Sequence, residues 1–142
     1  MKKAFVRIVT AVLAMTFCLV AANATEMHTE ASEYLSSYGA VVGTSGSGKI
    51  DISYTVSSYA SMTQIGASKI VVQEKVGSSW SSVQYYYSST TSGLLDTDSA
   101  FYTNTITYQG TAGKIYRAAV TFYAGDSTGY DTRDFITNSV TA

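Results

Sequence analysis

Residues 49–57 alternate apolar and polar side chains without a break, Ile50, Ile52, Tyr54 and Val56 against Asp51, Ser53, Thr55 and Ser57. A period of two puts every second side chain on one face of an extended chain, so this stretch must fold as a strand with one dry face and one wet face. Residues 39–142 repeat the habit in shorter pieces. They are rich in Ser, Thr, Tyr and Val, contain no proline, and are punctuated by Gly and Ser clusters, which is the composition of antiparallel strands joined by turns. Strands are expected at 40–44, 49–57, 68–76, 80–87, 100–109, 114–124 and 130–140. Residues 58–67 read as a connection in which Met62 and Ile65 plug the end of the core, and 88–99 as a long polar loop interrupted by Leu94 and Leu95. Seven strands at this spacing predict a β-sandwich. A small barrel would satisfy the same spacing.

The other constraint lies at the start of the chain. Lys2, Lys3 and Arg7 precede an apolar run over residues 8–20 that closes on Ala22-Asn23-Ala24. A charged start, an apolar segment short for a bilayer and a small-x-small ending predict a secretory signal peptide over residues 1–24, cleaved after Ala24. Cys18, the chain's single cysteine, follows Met15-Thr16-Phe17, which lacks the small residues of a lipoprotein cleavage site. Once the leader is removed, the expected domain has no cysteine, so packing and backbone hydrogen bonds must hold it without disulfides. Residues 25–38, with Glu26, Glu30 and Glu33 and no apolar period, read as a mobile arm with a helical turn near 31–35.

After cleavage six basic residues face ten acidic ones, a net charge of −4, and the basic residues are scattered. That balance argues against nucleic acid as a partner and against a membrane surface once the leader has gone. A single domain that is secreted and monomeric is the expectation.

The segment Gly113-Lys114-Ile115-Tyr116-Arg117-Ala118-Ala119-Val120, followed by Gly125-Asp126-Ser127-Thr128-Gly129 and a last strand, resembles the penultimate strand, hairpin and final strand of fibronectin type III and other immunoglobulin-like domains. The resemblance implies a seven-stranded antiparallel sandwich in which Tyr116 occupies the tyrosine-corner position, its ring inward and its hydroxyl bonded to upstream backbone. Ala118 stands where antibody domains carry a cysteine, which favours the disulfide-free, fibronectin-like branch. The run from Met62-Thr63-Gln64-Ile65-Gly66-Ala67-Ser68 through Lys75, then Trp80 and Val83, is similar to small exported proteins of clostridial and related Gram-positive gut bacteria. That likeness implies a Gram-positive, extracellular setting and supplies no active site. Tyr116 and Trp80 are the expected stitches between the two layers.

Catalytic signals are weak. Gly43-Thr44-Ser45-Gly46-Ser47-Gly48-Lys49 has the spacing of a phosphate loop, but Ile50 stands where a hydroxyl should meet magnesium and a strand follows where a helix is needed. His28 is the only histidine and precedes the domain, which leaves no positioned base for a serine nucleophile and argues against zinc. No cofactor and no metal site are expected. Asp96 with Asp98, and Asp126 with Asp131 and Asp134, are the only carboxylate clusters for glycoside hydrolysis, and neither loop has the spacing of a calcium hand. Solvated turns account for them better.

Twelve tyrosines remain, with Tyr85, Tyr86 and Tyr87 consecutive. In the strand at 80–87, Val83 and Tyr85 or their neighbours should face inward. Alternation must turn at least one of the three tyrosines outward, and an outward Tyr86, with Tyr102 and Tyr123 as candidate neighbours, would form an amphipathic platform. Filling half-exposed sheet positions is the plainer use of tyrosine. The sequence thus reads as an exported module without catalytic activity that binds a protein at or near the cell surface. A carbohydrate-binding module using exposed tyrosines is the first alternative and a weak carboxylate hydrolase the second.

Overall fold

The computed structural model describes residues 32–142; the expected signal peptide, the start of the arm and His28 lie outside that range. Among the described residues the chain is all-β: six antiparallel strands, β1 (Leu35–Gly46), β2 (Lys49–Val76), β3 (Ser79–Tyr87), β4 (Leu95–Gln109), β5 (Ile115–Gly125) and β6 (Tyr130–Thr141). They form one curled sheet. The expected count of seven is corrected by β2, which runs through residues 49–57, the supposed connection 58–67 and residues 68–76 as a single strand. Met62 and Ile65 are buried along it, so the inward period never lapses long enough to release the chain.

A straight strand of this length would extend about 90 Å, far beyond a domain of about a hundred residues, whose radius of gyration is about 13 Å. It has to bend. Register shifts lie between Ser57 and Met62 on the β4 side and between Ala67 and Lys69 on the β5 side. Its first half pairs with β1 and β4, its second with β5 and β3, and Gln64 to Gly66 pair with both β4 and β5. The two halves of the sheet therefore face each other across one core.

That core joins Tyr38, Ile50, Ile52, Tyr54 and Val56 from the first half to Ile70, Val72, Tyr116, Val120 and Phe122 from the second, all buried. Phe122 is the hinge of the packing. Its ring meets Tyr38 at 5.2 Å and Tyr54 at 6.3 Å, tilted or edge-on as aromatic quadrupoles prefer. Leu94, the apolar interruption in the polar loop, is fully buried, and its carbonyl accepts hydrogen bonds from Ala67 N and Tyr54 Oη, each 2.9 Å.

The N-terminal boundary also moves. Residues 35–38, expected in the arm, belong to β1, and Leu35 and Tyr38 are buried while Ser36 and Ser37 are only partly so. Its start is fastened by Asp131, which accepts hydrogen bonds from the Ser32 hydroxyl and from Tyr34 N. Further on, the Asn138 side chain of β6 bonds both Val42 N and Val42 O. The sheet thus closes on itself through side chains, with no backbone ladder between β1 and β6, an arrangement between an open sheet and the barrel that the spacing allowed.

The glycine-rich segment before Lys49 is a hairpin. Ser47 and Gly48 are both left-handed (φ 57° and 78°), as a two-residue turn between twisted strands requires, and no helix follows.

Candidate recognition surface

The register of β3 decides where the tyrosine run points. Counting back from the Gly77-Ser78 turn, Lys75 pairs with Trp80 and Gln73 with Ser82, and continuing that count would set Tyr85 opposite Ile70. A bulge between Val72 and Gln73 inserts Val83, so Ile70 faces Tyr86 instead. Ile70 points into the core, and cross-strand partners share a face. Tyr86 is therefore half-buried against the core, while Tyr85 and Tyr87 turn outward at 50% and 44% exposure. The expected outward Tyr86 is corrected by one inserted residue.

Tyr102 is also a packing residue. Its ring meets Tyr54 edge-on at 6.2 Å and its hydroxyl donates to Gly93 O at 2.6 Å. Burial raises the phenol pKa of both Tyr86 and Tyr102. Tyr123 does face outward, stacked on the exposed Tyr130 at 5.6 Å. With two of the three against the core, Tyr86, Tyr102 and Tyr123 do not form one platform.

Tyr116 is buried, and its hydroxyl accepts from Thr111 N at 2.9 Å and donates to Glu74 Oε2 at 3.1 Å. Trp80 does not stitch the layers: it is half-buried on the outer face, where Arg117 lies 4.2 Å above its ring. Its cross-strand partner is the exposed Lys75, so its phase points away from the core. Arg117 is itself held by its Nε donating to Gln73 Oε1 at 2.8 Å.

On the outer face of the half formed by β3, β2, β5 and β6, a row runs straight across four strands: Tyr85, Val71, Ala119 and Ile136 are successive cross-strand partners. Tyr87 stacks on Tyr85 with ring planes 8° apart and centroids 6.2 Å apart. The Trp80–Arg117 pair flanks one side, and Lys69, Thr121 and Asp134 form the next row on the other. Sequence reasoning missed Tyr85, Tyr87, Arg117 and Ile136 as a group, because a strand's outward residues are joined into a surface only by register.

A second feature is a depression of about 260 Å³ where the β5–β6 hairpin meets the bend of β2, lined by Thr63, Gln64, Tyr123, Gly125, Asp126 and Ser127. Asp126 accepts from both the backbone and the hydroxyl of Thr128, and the hydroxyl bond holds its carboxyl below the usual aspartate range. The two other carboxylates of that cluster are similarly engaged: Asp134 accepts from the Thr121 hydroxyl, and Asp131 anchors β1. Asp98 is exposed with a left-handed φ of 52°. Among the described residues no group of three or more His, Cys, Asp or Glu side chains is placed to hold a metal ion.

No protein-family model, curated protein or solved structure matches this chain.

Proposed function

We propose that this chain is an exported, non-catalytic binding module that recognises a protein partner at or near the surface of a Gram-positive bacterium. The single observation that carries the reading is the outer face centred on the stacked Tyr85–Tyr87 pair and the Val71–Ala119–Ile136 row, flanked by Trp80 and Arg117. Tyr, Trp and Arg are the residues that dominate binding energy at protein interfaces, because they offer large rigid area with a polar handle. On a four-stranded sheet their positions are fixed, so little ordering entropy opposes binding.

We further propose that the curled sheet belongs with fibronectin-like, immunoglobulin-type sandwiches. Support comes from the division of pairing into β1–β2–β4 and β3–β2–β5–β6, and from the Tyr116 hydroxyl bonded to backbone five residues upstream. The continuous β2 is its departure from that pattern.

The test compares the mature chain with a Tyr85→Ala/Tyr87→Ala variant as bait against extracellular extracts. A protein retained by the first and lost by the second supports the reading; equal retention, or none, refutes it. A carbohydrate reading has its own observation, the Tyr123–Tyr130 stack beside the depression that holds Gln64 and Asp126. Glycan binding abolished by Tyr130→Ala but not by the Tyr85/Tyr87 change would favour that alternative.

A further inference from the structure

A sheet must do something with its edges, since an unpaired strand presents a row of N–H and C=O groups to any passing chain. Three edges here are managed and one is not. β1 and β6 are joined through the two Asn138 bonds to Val42. β3 is broken by its bulge, and Gln84 Nε2 covers the Tyr85 carbonyl at 3.1 Å. β4 pairs with β2 on one side, and among the described residues no strand pairs with its other side.

That outer edge is long and regular. Between Lys49↔Gln109 and Ser57↔Phe101 the β2–β4 register has no shift. Gly110 N donates to Gly48 O at 2.9 Å, which sets the antiparallel alternation: Tyr108, Ile106, Asn104 and Tyr102 bond to β2, and Thr107, Thr105, Thr103 and Phe101 turn their backbone groups outward. Ser99 Oγ engages both the N–H and the carbonyl of Phe101, and Asn104 Oδ1 takes the N–H of Thr105, leaving the backbone of Thr103 and Thr107 without such a cap. Residues 99–109 carry no charge, no proline and no lysine, the usual protections of an edge.

We propose that β4 is a dimerisation edge whose occupant is β4 of a second copy of this chain, paired antiparallel about a two-fold axis at Thr105, whose N–H exchanges its bond to Asn104 Oδ1 for the Thr105 carbonyl of the second copy. A two-fold antiparallel ladder needs each outward residue to face another outward residue of the same strand. Thr103 then lies opposite Thr107 of the second copy, a favourable cross-strand pair, and Tyr102 opposite Tyr108. A charged peptide would find no counter-charge on β4 itself, the adjacent Asp51 carboxylate of β2 being engaged by the Thr107 hydroxyl at 2.6 Å, whereas an identical neutral strand meets no repulsion. The paired threonines would meet by side-chain packing and backbone bonds, since the Thr103 hydroxyl already donates to Tyr54 O at 3.0 Å and the Thr107 hydroxyl to Asp51 Oδ1 at 2.6 Å. The pairing involves a different strand from Tyr85 and Tyr87, which pair with the second half of β2 and turn outward there, so it stands or falls independently of the proposed function.

The experiment is sedimentation equilibrium of the mature chain over a dilution series reaching millimolar, alongside Thr105→Lys and, as a control on an exposed strand position elsewhere, Thr132→Lys. Thr105 is exposed, so a lysine there leaves the monomer's core intact, which near-ultraviolet circular dichroism verifies. The expected result is a dimer for the parent and the control, with a dissociation constant raised about tenfold or more by Thr105→Lys, because two like charges face each other at the axis. A parent that stays monomeric throughout overturns the proposal. A dimer indifferent to Thr105→Lys overturns it too, as does open-ended polymerisation in place of a closed dimer.

Discussion

Gly66→Ala is the substitution that should cost this fold most per atom added. Gly66 lies in the bend of β2 where β4 and β5 both pair, at φ 151°, and a Cβ there would sit 2.2 Å from Leu94 O and 2.9 Å from Leu95 Cα. Both are backbone atoms, so no side-chain rotation relieves the contact. The backbone conformation alone costs an L-residue about 1–3 kcal/mol. Moving the Leu94 carbonyl also breaks its hydrogen bonds from Ala67 N and Tyr54 Oη, each contributing about 1 kcal/mol. The sum is about 3–5 kcal/mol, a large share of the 5–15 kcal/mol typical of a domain. Urea unfolding followed by tyrosine and tryptophan fluorescence reads it as a midpoint lowered by about 2 M, taking a slope near 2 kcal/mol per molar. Gly77→Ala is the control: its φ is 61°, but the added Cβ meets nothing within 4 Å, so only about 1 kcal/mol of conformational strain applies. Equal losses in the two variants would refute the close-approach argument and leave only the left-handed backbone as the cause.

Other expectations follow from single contacts. Tyr116→Phe leaves Thr111 N and Glu74 without the hydroxyl between them and should lower stability by about 1–2 kcal/mol; a midpoint unchanged in urea would mean the hydroxyl contributes nothing. Thr137→Val keeps the shape of a buried side chain but strips the oxygen that accepts from Ala118 N at 2.9 Å, and about 1–3 kcal/mol should be lost in the same assay. The Ser32 hydroxyl, then the Tyr34 amide, hold the Asp131 carboxyl below its ordinary value. A folded-state pKa below the unfolded one contributes stability above the ordinary aspartate range and loses it as pH falls through the folded value. Asp131→Asn should therefore be less stable than the parent at neutral pH, with the difference closing in acid. A gap that persists at low pH would show that the charge is not its source.

Much of the fold can be read from the order of residues because a period of two is a local property. Ile50, Ile52, Tyr54 and Val56, and Tyr116, Ala118, Val120 and Phe122, announce their buried faces without reference to any partner, and both sets are buried. Met62 and Ile65 are likewise legible as plugs, and Leu94 stands out only as an apolar interruption of a polar loop; all three are buried. The Ser58–Ser61 stretch misleads for the opposite reason. Its small and polar residues look like a turn, yet they sit at a register shift where the strand bends without leaving the sheet.

The candidate surface was less legible. The composition of the chain put many tyrosines on strands and required some to face out, but the phase of Tyr85, Tyr86 and Tyr87 depends on the bulge at Val83, which inverts every face beyond it. Trp80 and Arg117 meet through two different cross-strand neighbours, and nothing in their spacing foretells the contact. Strand identity and buried face follow from side chains a few residues apart, so both can be read along the chain without knowing any partner strand. Continuity of β2, the shape of the tyrosine face and the unpaired edge of β4 arise from pairing between segments tens of residues apart, where one inserted residue reverses a face, so they emerge only once the strands are laid side by side.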